Sequence, residues 1–446
     1  MYLPQAIRRR ISGRPMLQRI IDNISWLFFD KIVRLGMGLV VGIWVARYLG
    51  PEQYGLLNFG MATVALFAIF VKLGLQSIVV RDLVNSPERT GVTIGTAAVI
   101  QVLGAVLAYF LLAIVITSLR PDDALARTVV LLLGLTLFLH AFDTAKYWFE
   151  ANVISKYLVW MSNTVFLILS AVKVVLILTG APLLAFVWVT VADAVIVGVG
   201  SVVLFLKIGP EGRALRLDRT RARELLTDSW PLFLAGAAVV VYMKIDMVML
   251  SQMAGDEAAG IYAAATKVSE LWYFIPTIIV ASVFPAILKA RKQDEVLYYR
   301  RLQQLFDLMV WLSVAVALPM TFLSGPIVTT LFGADYAEAD AVLAIHIWAA
   351  VFVFLGLASG KWFIAEGRQI LNLQRTLIGA LVNIGLNVVL IPEYGALGAA
   401  WATVIAYGFA AFLFDLAQKV TRPLFMMKLA TLNPVAATRR ILGLAG

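Results

Sequence analysis

Charged side chains recur inside long apolar runs, and they are the residues of this chain equipped for chemistry. Asp30, Lys31 and Arg34 stand in the first run, Lys72 in the second, and His140, Asp143, Lys146 and Glu150 in the fourth. Lys173 and Asp193 follow in the fifth and sixth, and Lys244 and Asp246 in the seventh. Lys267 and Glu270 stand in the eighth, with His346, Lys361 and Arg375 in the tenth and eleventh. In lipid such a charge costs about 2.5–3.5 kcal/mol at a span centre, so those present should face protein or a water-filled cavity. Acids and histidines there can carry a proton or a coupling cation. Lysines and arginines attract an anion, phosphate in particular.

Spacing sorts these groups. Asp30 and Arg34 lie four apart on one helix face and can pair. His140, Asp143, Lys146 and Glu150 keep a polar stripe on one side of their helix. Lys244 and Asp246 point in roughly opposite directions, so each needs a partner on another span, and Lys267 or Glu270 of the next helix would serve. Such a pair either holds a bundle together or faces a substrate. Lys146, Glu150, Lys173, Lys361 and Arg375 lie near predicted span ends, where snorkelling to the interface is expected. His140, Asp193, Lys244, Asp246 and Glu270 lie deeper. Trp148, Trp272, Trp348 and Asn387 suit sugar recognition, but core packing or an interfacial aromatic belt explains them equally.

The elements that must position these residues are membrane helices. Apolar residues make up 61% of the 446-residue chain and charged residues 14%, more apolar surface than a soluble domain can hide. Twelve spans are predicted, at 24–47, 55–80, 92–118, 128–149, 157–179, 183–206, 227–251, 260–288, 303–324, 338–364, 370–391 and 396–418. The first run is too long for a cleaved signal sequence and reads as a span. The net charge of +10 falls between the spans, which points to membrane orientation rather than nucleic acid. With the basic N-terminus inside, alternate loops collect Arg81, Lys156, Arg213, Arg223, Lys289, Arg301 and Arg368. The opposite loops carry Glu52, Asp122, Asp256, Asp335 and Glu393. That asymmetry predicts a multi-pass cell (inner) membrane protein with both termini cytoplasmic.

The chain also repeats itself. Gly50-Pro51-Glu52-Gln53-Tyr54-Gly55 reads as a turn that its second glycine ends, and it returns about 200 residues later as Gly255-Asp256-Glu257-Ala258-Ala259-Gly260. Trp188-Val189-Thr190 is answered by Trp401-Ala402-Thr403. Two six-span halves of one orientation follow. The expected organisation is a basic segment 1–23, an N-lobe 24–207, a basic linker 208–226, a C-lobe 227–419 and a basic tail 420–446. Interfacial helices that do no more than anchor are expected in the first 20 residues and in 420–432. No nucleotide-binding loop, metal-ligand spacing or cysteine occurs, and the outer loops are short. An enzyme is not expected, nor any cofactor beyond a proton or sodium gradient.

Three stretches resemble the polysaccharide transport branch of the multidrug/oligosaccharidyl-lipid/polysaccharide (MOP) exporter superfamily. They are Arg47–Gly55 with Leu73-Gly74-Leu75 and Arg81; Lys244–Leu250 with Gly260-Ile261-Tyr262-Ala263, Lys267 and Glu270; and Asn383–Asn387 with Ile391–Gly395 and Gly398-Ala399-Ala400. The resemblance implies an all-α polytopic fold with two six-helix lobes around a central cavity, working by alternating access. It implies a flippase carrying a polyprenyl-diphosphate-linked oligosaccharide from the inner to the outer leaflet. By this analogy Arg34, Lys72, Lys244 and Lys267, with Lys31, are head-group contacts, while Asp30, Asp193, Asp246 and Glu270, with His140, couple ions or gate. Membrane lipid is an expected partner, as is polysaccharide polymerase or glycosyltransferase machinery. A drug/cation antiporter of the same superfamily is the alternative, but it needs acids to dominate the cavity. A membrane polymerase or glycosyltransferase would need a larger outer loop, and a passive scaffold has no reason to bear the buried charges.

Overall fold

The computed structural model describes residues 15–209 and 215–441, with side chains from Arg34 onward. Expectations for Asp30, Lys31 and the segment 1–14 therefore lie outside the described residues. Within them there is helix and no strand. Ten helical segments are long and apolar enough to cross a membrane: α1 Arg34–Asn85, α2 Pro87–Leu119, α3 Ala124–Ala151, α4 Lys156–Leu178, α5 Leu183–Ile208, α6 Arg219–Ala254, α7 Asp256–Gln293, α8 Glu295–Phe332, α9 Ala339–Ala365 and α10 Gln369–Ala417. Two shorter helices follow, α11 Arg422–Ala430 and α12 Pro434–Ile441.

α1 and α10 are 52 and 49 residues long, about twice what one crossing needs. Each is broken at a glycine, Gly50 (φ 72°) and Gly395 (φ 52°). Ten segments with two doubled are consistent with the twelve expected spans. Large apolar side chains such as Leu103, Phe110, Leu178, Phe322 and Leu381 lie on the exposed surface, the arrangement that a lipid solvent requires.

The repeated glycine motif has a different anatomy from the expected six-residue turn. Gly50 (φ 72°, ψ 171°) and Gly255 (φ 92°, ψ 168°) adopt nearly the same glycine-only conformation, and each alone makes the break. Helix resumes at once, with Pro51 in the first turn of one copy and Asp256 opening the other. Gly55 and Gly260 do not end a connection. They sit inside helices where two backbones touch: a Cβ on Gly55 would lie 1.7 Å from the Asp256 carbonyl oxygen, and one on Gly260 would lie 1.9 Å from that of Pro51.

The chain divides into two compact units. One holds the chain up to Tyr48 with Gly60–Ala237, and the other holds Leu49–Phe59 with Ala238 onward. In the first, Leu75, Ile78, Val79, Ile94, Tyr147, Trp148, Phe149 and Leu225 form a core. Arg221 at the start of α6 binds Asp82 at 2.5 Å, and Arg81 binds Asp228 at 2.6 Å. In the second, α7, α8 and α9 pack around Tyr298, Phe306, Met309, Phe354 and Phe363.

The tail does more than anchor. Lys428 of α11 is fully buried, donating to Asp415 at 2.6 Å and to the Ala411 carbonyl at 2.6 Å. Ala411 lies in the π-helical turn Phe409–Leu413, so the ammonium meets a carbonyl displaced from regular α-helical pairing. Burial pulls the Lys428 ammonium down to about 8, against the opposing pull of Asp415. Arg440 of α12 closes a two-pronged pair on buried Asp307, at 2.7 and 2.8 Å. Apolar–basic alternation suggested an interfacial helix because it does not reveal that acids wait inside the bundle.

Candidate functional site

Asp246, in the last third of α6, is the centre of a polar network inside the second unit. It is 5% exposed. Asn387 of α10 donates to its Oδ1 at 2.6 Å, and Thr403 of the same segment donates to its Oδ2 at 2.7 Å. Tyr262 of α7 donates to Oδ2 at 3.2 Å and lies 3.1 Å from the Thr403 hydroxyl. Asn383, one turn before Asn387, accepts from Asn387 at 3.2 Å. A carboxylate buried away from water is tolerable only when hydrogen-bonded in this way.

Donors and acceptors in this cluster are not matched one to one. Thr403 has a single hydroxyl proton, which both Asp246 and the Ala399 carbonyl 2.9 Å away can accept. Tyr262 likewise has one proton for Asp246 and Thr403. The Asn387 Oδ1 is buried with no hydrogen-bond partner among the described residues. Asp246, Asn383, Asn387, Thr403 and Ala399 thus present an oxygen-rich cluster in which the Asn387 Oδ1 and the Asn383 Nδ2 go unpaired among the described residues. Such a cluster suits a proton on Asp246 or a hard cation with oxygen ligands. Beside it the buried His346 Nδ1 lies 2.7 Å from the Ser269 hydroxyl, and its ring stands edge-on to Tyr262.

The other expected site residues fall as follows. Lys244 is half-buried and its charge acts on Glu270, but the two do not close to ion-pair distance among the described residues. Lys267 instead donates to the Tyr54 hydroxyl at 3.3 Å, with its ammonium beyond the hydroxyl rather than over the ring. The partner expected for Asp246 from Lys267 or Glu270 is therefore replaced by neutral amide and hydroxyl groups, which satisfy a buried carboxylate without burying a second charge.

In the first unit, the Arg34 guanidinium sits 5.2 Å from the Phe166 ring centre. Lys72 is exposed at its helix end. His140 Nδ1 lies 2.8 Å from Asp143, and Lys146 donates to the same carboxylate at 2.6 Å, so three of the four stripe residues pair with one another, while Glu150 accepts from Gln76 of α1 at 2.9 Å. Lys146 is thus engaged within its helix rather than only snorkelling. Asp193 is half-buried on α5, and its Oδ1 has no hydrogen-bond partner among the described residues. Trp148 packs edge-on against Phe149 and Phe205 in the core, and Trp348 donates to Thr321 at 3.1 Å.

Arg375 departs most from expectation. It is 8% exposed, donating to the Ser359 hydroxyl at 2.8 Å and the Gly356 carbonyl at 3.1 Å, with Phe363 under its plane at 5.0 Å. Helix α10 starts at Gln369, but the side chain is trapped between helices and cannot reach an interface. Sequence reasoning also missed Tyr262, Asn383 and Thr403 as members of the Asp246 cluster. Asn383 and Asn387, two amides one turn apart in an apolar span, were the available signal.

A family model described as "Polysaccharide biosynthesis protein" matches residues 20–291. Capsular polysaccharide biosynthesis protein CapF of Staphylococcus aureus is 20% identical over 390 residues, covering 87% of this chain and 96% of the relative. The probable low-salt glycan biosynthesis flippase Agl15 of Haloferax volcanii is 21% identical over 398 residues, covering 85% and 79%. Among solved structures, an inward-facing multidrug resistance MATE family transporter of the MOP superfamily superposes with TM-score 0.69 at 15% identity, over 92% of this chain and 99% of its own. Lipid II flippase MurJ in an inward closed conformation gives 0.66 at 16% identity, over 95% and 96%. At these identities the structural likeness shows the fold alone.

Proposed function

Because the chain belongs to the polysaccharide biosynthesis protein family, we propose that this multi-pass membrane protein is a flippase for a polyprenyl-diphosphate-linked oligosaccharide. It moves the lipid from the inner to the outer leaflet of the cell membrane by alternating access between an N-lobe and a C-lobe, with both termini cytoplasmic. Two relatives named as flippases support the activity. The basic loops identified in the sequence support the orientation. Polymerase or glycosyltransferase machinery acting on the same lipid-linked sugar would be its working partner.

One observation carries the coupling: the oxygen-rich cluster around Asp246 draws on α6, α7 and α10 together. A proton or sodium ion arriving there takes over lone pairs that otherwise receive hydrogen bonds between those helices. It therefore binds their alternative arrangements with different affinity, and only such a difference lets a gradient drive a conformational change. Lys244 and Lys267 are proposed diphosphate contacts on two of those helices, α6 and α7. Glu270 feels the charge of Lys244 without pairing with it, which leaves that ammonium for an arriving phosphate.

The test uses cells lacking the gene, from which lipid-linked sugars are extracted and assigned to a leaflet. The complete oligosaccharide-diphosphate-lipid should accumulate on the inner face and clear when the wild type is restored. Lys244→Ala, at wild-type protein level, should clear it at least tenfold more slowly. Normal sugar lipids in the deletion would overturn the flippase reading and indicate drug efflux. A glycan that is outside but unpolymerised would indicate an enzyme.

A further inference from the structure

Within the second unit a cavity of about 450 Å³ lies among α6, α7, α9 and α10. Its wall is largely apolar, with Val239, Met243, Phe352, Val353 and Leu357. Three tyrosines, Tyr242, Tyr273 and Tyr407, also face it, and Arg375 is the only charged side chain lining it among the described residues. The volume is in the range of small-molecule sites, and an apolar cleft with a few convergent polar groups is the usual form of one.

The charge of Arg375 has no carboxylate on it. Its two hydrogen bonds go to a hydroxyl and a carbonyl, which leaves three of its five N–H groups for other acceptors. The acid whose field reaches it most is Asp415, which gives its Oδ2 to Lys428 at 2.6 Å and makes no ion pair with Arg375 among the described residues. Arg375, Asp415 and Lys428 are all at least nine-tenths buried, so within this trio two cations share one anion. Two further residues that line it, Tyr273 and Asn372, each carry a buried polar atom, the hydroxyl and the Oδ1, with no hydrogen-bond partner among the described residues. A buried donor, a buried acceptor and an unneutralised guanidinium around one apolar space call for a molecule with complementary groups.

We propose that this cavity binds an amphiphile with a phosphate monoester head, the head held by Arg375 and the apolar chain lying along Met243, Val239 and Phe352. A phosphate monoester supplies oxygens for the guanidinium and the tyrosine hydroxyl and, when singly protonated, an O–H for Asn372. The assignment goes beyond the flippase reading and does not depend on it, because binding is measured without transport.

The probe is radiolabelled dodecyl phosphate, retained by the full-length purified protein in nonionic-detergent micelles and corrected for empty micelles. Saturable retention at one site per chain is expected, uncompeted by inorganic phosphate or by dodecanol at equal concentration. Arg375→Gln should weaken it at least tenfold. Val353→Trp should do the same by filling the cavity while leaving the contacts of Arg375 in place. Should Arg375→Gln fail to give monodisperse protein, Val353→Trp decides alone. Wild-type retention in a folded Val353→Trp protein would overturn the proposal, as would equal competition by inorganic phosphate, which would mark a site for the free anion. Equal competition by dodecanol would mark an apolar cavity in which Arg375 plays no part.

Discussion

The oxygen cluster at Asp246 predicts how single residues respond to substitution. Asp246→Asn keeps the shape and removes the charge, so transport by reconstituted protein should lose its acceleration by a sodium or proton gradient, while the variant still purifies as a folded protein. A variant that remains gradient-driven would remove Asp246 from the coupling step. Asp246→Ala should also cost about 1–3 kcal/mol of stability, because Asn387, Thr403 and Tyr262 lose their acceptor. Asp246 itself was legible in the sequence, since a deep charge in an apolar run is costly wherever it stands. Its surroundings were not. Asn387 and Thr403 are 141 and 157 residues away, so no local spacing ties either of them to Asp246. Arg375 was misread for a related reason: distance along the helix from its end was legible, but the direction of the side chain was not.

The four glycines of the repeated motif separate two demands that the sequence had merged into one turn. Gly50 has open space around a would-be Cβ but a conformation essentially reserved for glycine, so Gly50→Ala should cost about 1–3 kcal/mol through backbone strain alone. Gly55→Ala and Gly260→Ala place a methyl group within 2 Å of a carbonyl oxygen, and helix backbones must separate to admit it. Thermal unfolding in detergent should show Gly55→Ala and Gly260→Ala each melting well below Gly50→Ala. The reverse order would mean that the two helices do not approach this closely. The recurrence was legible because spacing and glycine content survive in one dimension. Which glycine turns the chain and which one packs depends on what lies opposite, and only the folded chain shows that.

For the whole molecule, the twelve expected spans are consistent with ten segments of which two are of double length. An all-helical membrane fold could be read from apolar length, because lipid imposes it. The docked tail could not, because Asp415 and Asp307 lie in spans far enough from α11 and α12 that no local pattern links them. Lys428→Met leaves Asp415 unpaired and should destabilise the protein by about 3–5 kcal/mol, whereas Lys428→Met with Asp415→Leu should recover most of that. Equal melting of the single and double variants would show that the pair is not buried together. The sign of the pH dependence also follows. With the folded value near 8 and the unfolded value at 10.5, the unfolded chain holds the extra proton between them, so this group's contribution to stability rises with pH across that window.

The second unit is assembled from two separate pieces of chain, Leu49–Phe59 and everything after Ala238. During synthesis the first piece leaves the ribosome some 200 residues before the helix that Gly55 must meet, a wait of roughly 10–40 s at ordinary translation rates. For that time the bare surface around Gly55 stands in the membrane without its mate, available to insertion factors or to premature association with another nascent copy. A chain restarted at Ala238 would be delivered without this strip. Split versions of the protein should therefore reassemble only when the cut leaves 49–59 on a fragment that is made first and held in the same membrane.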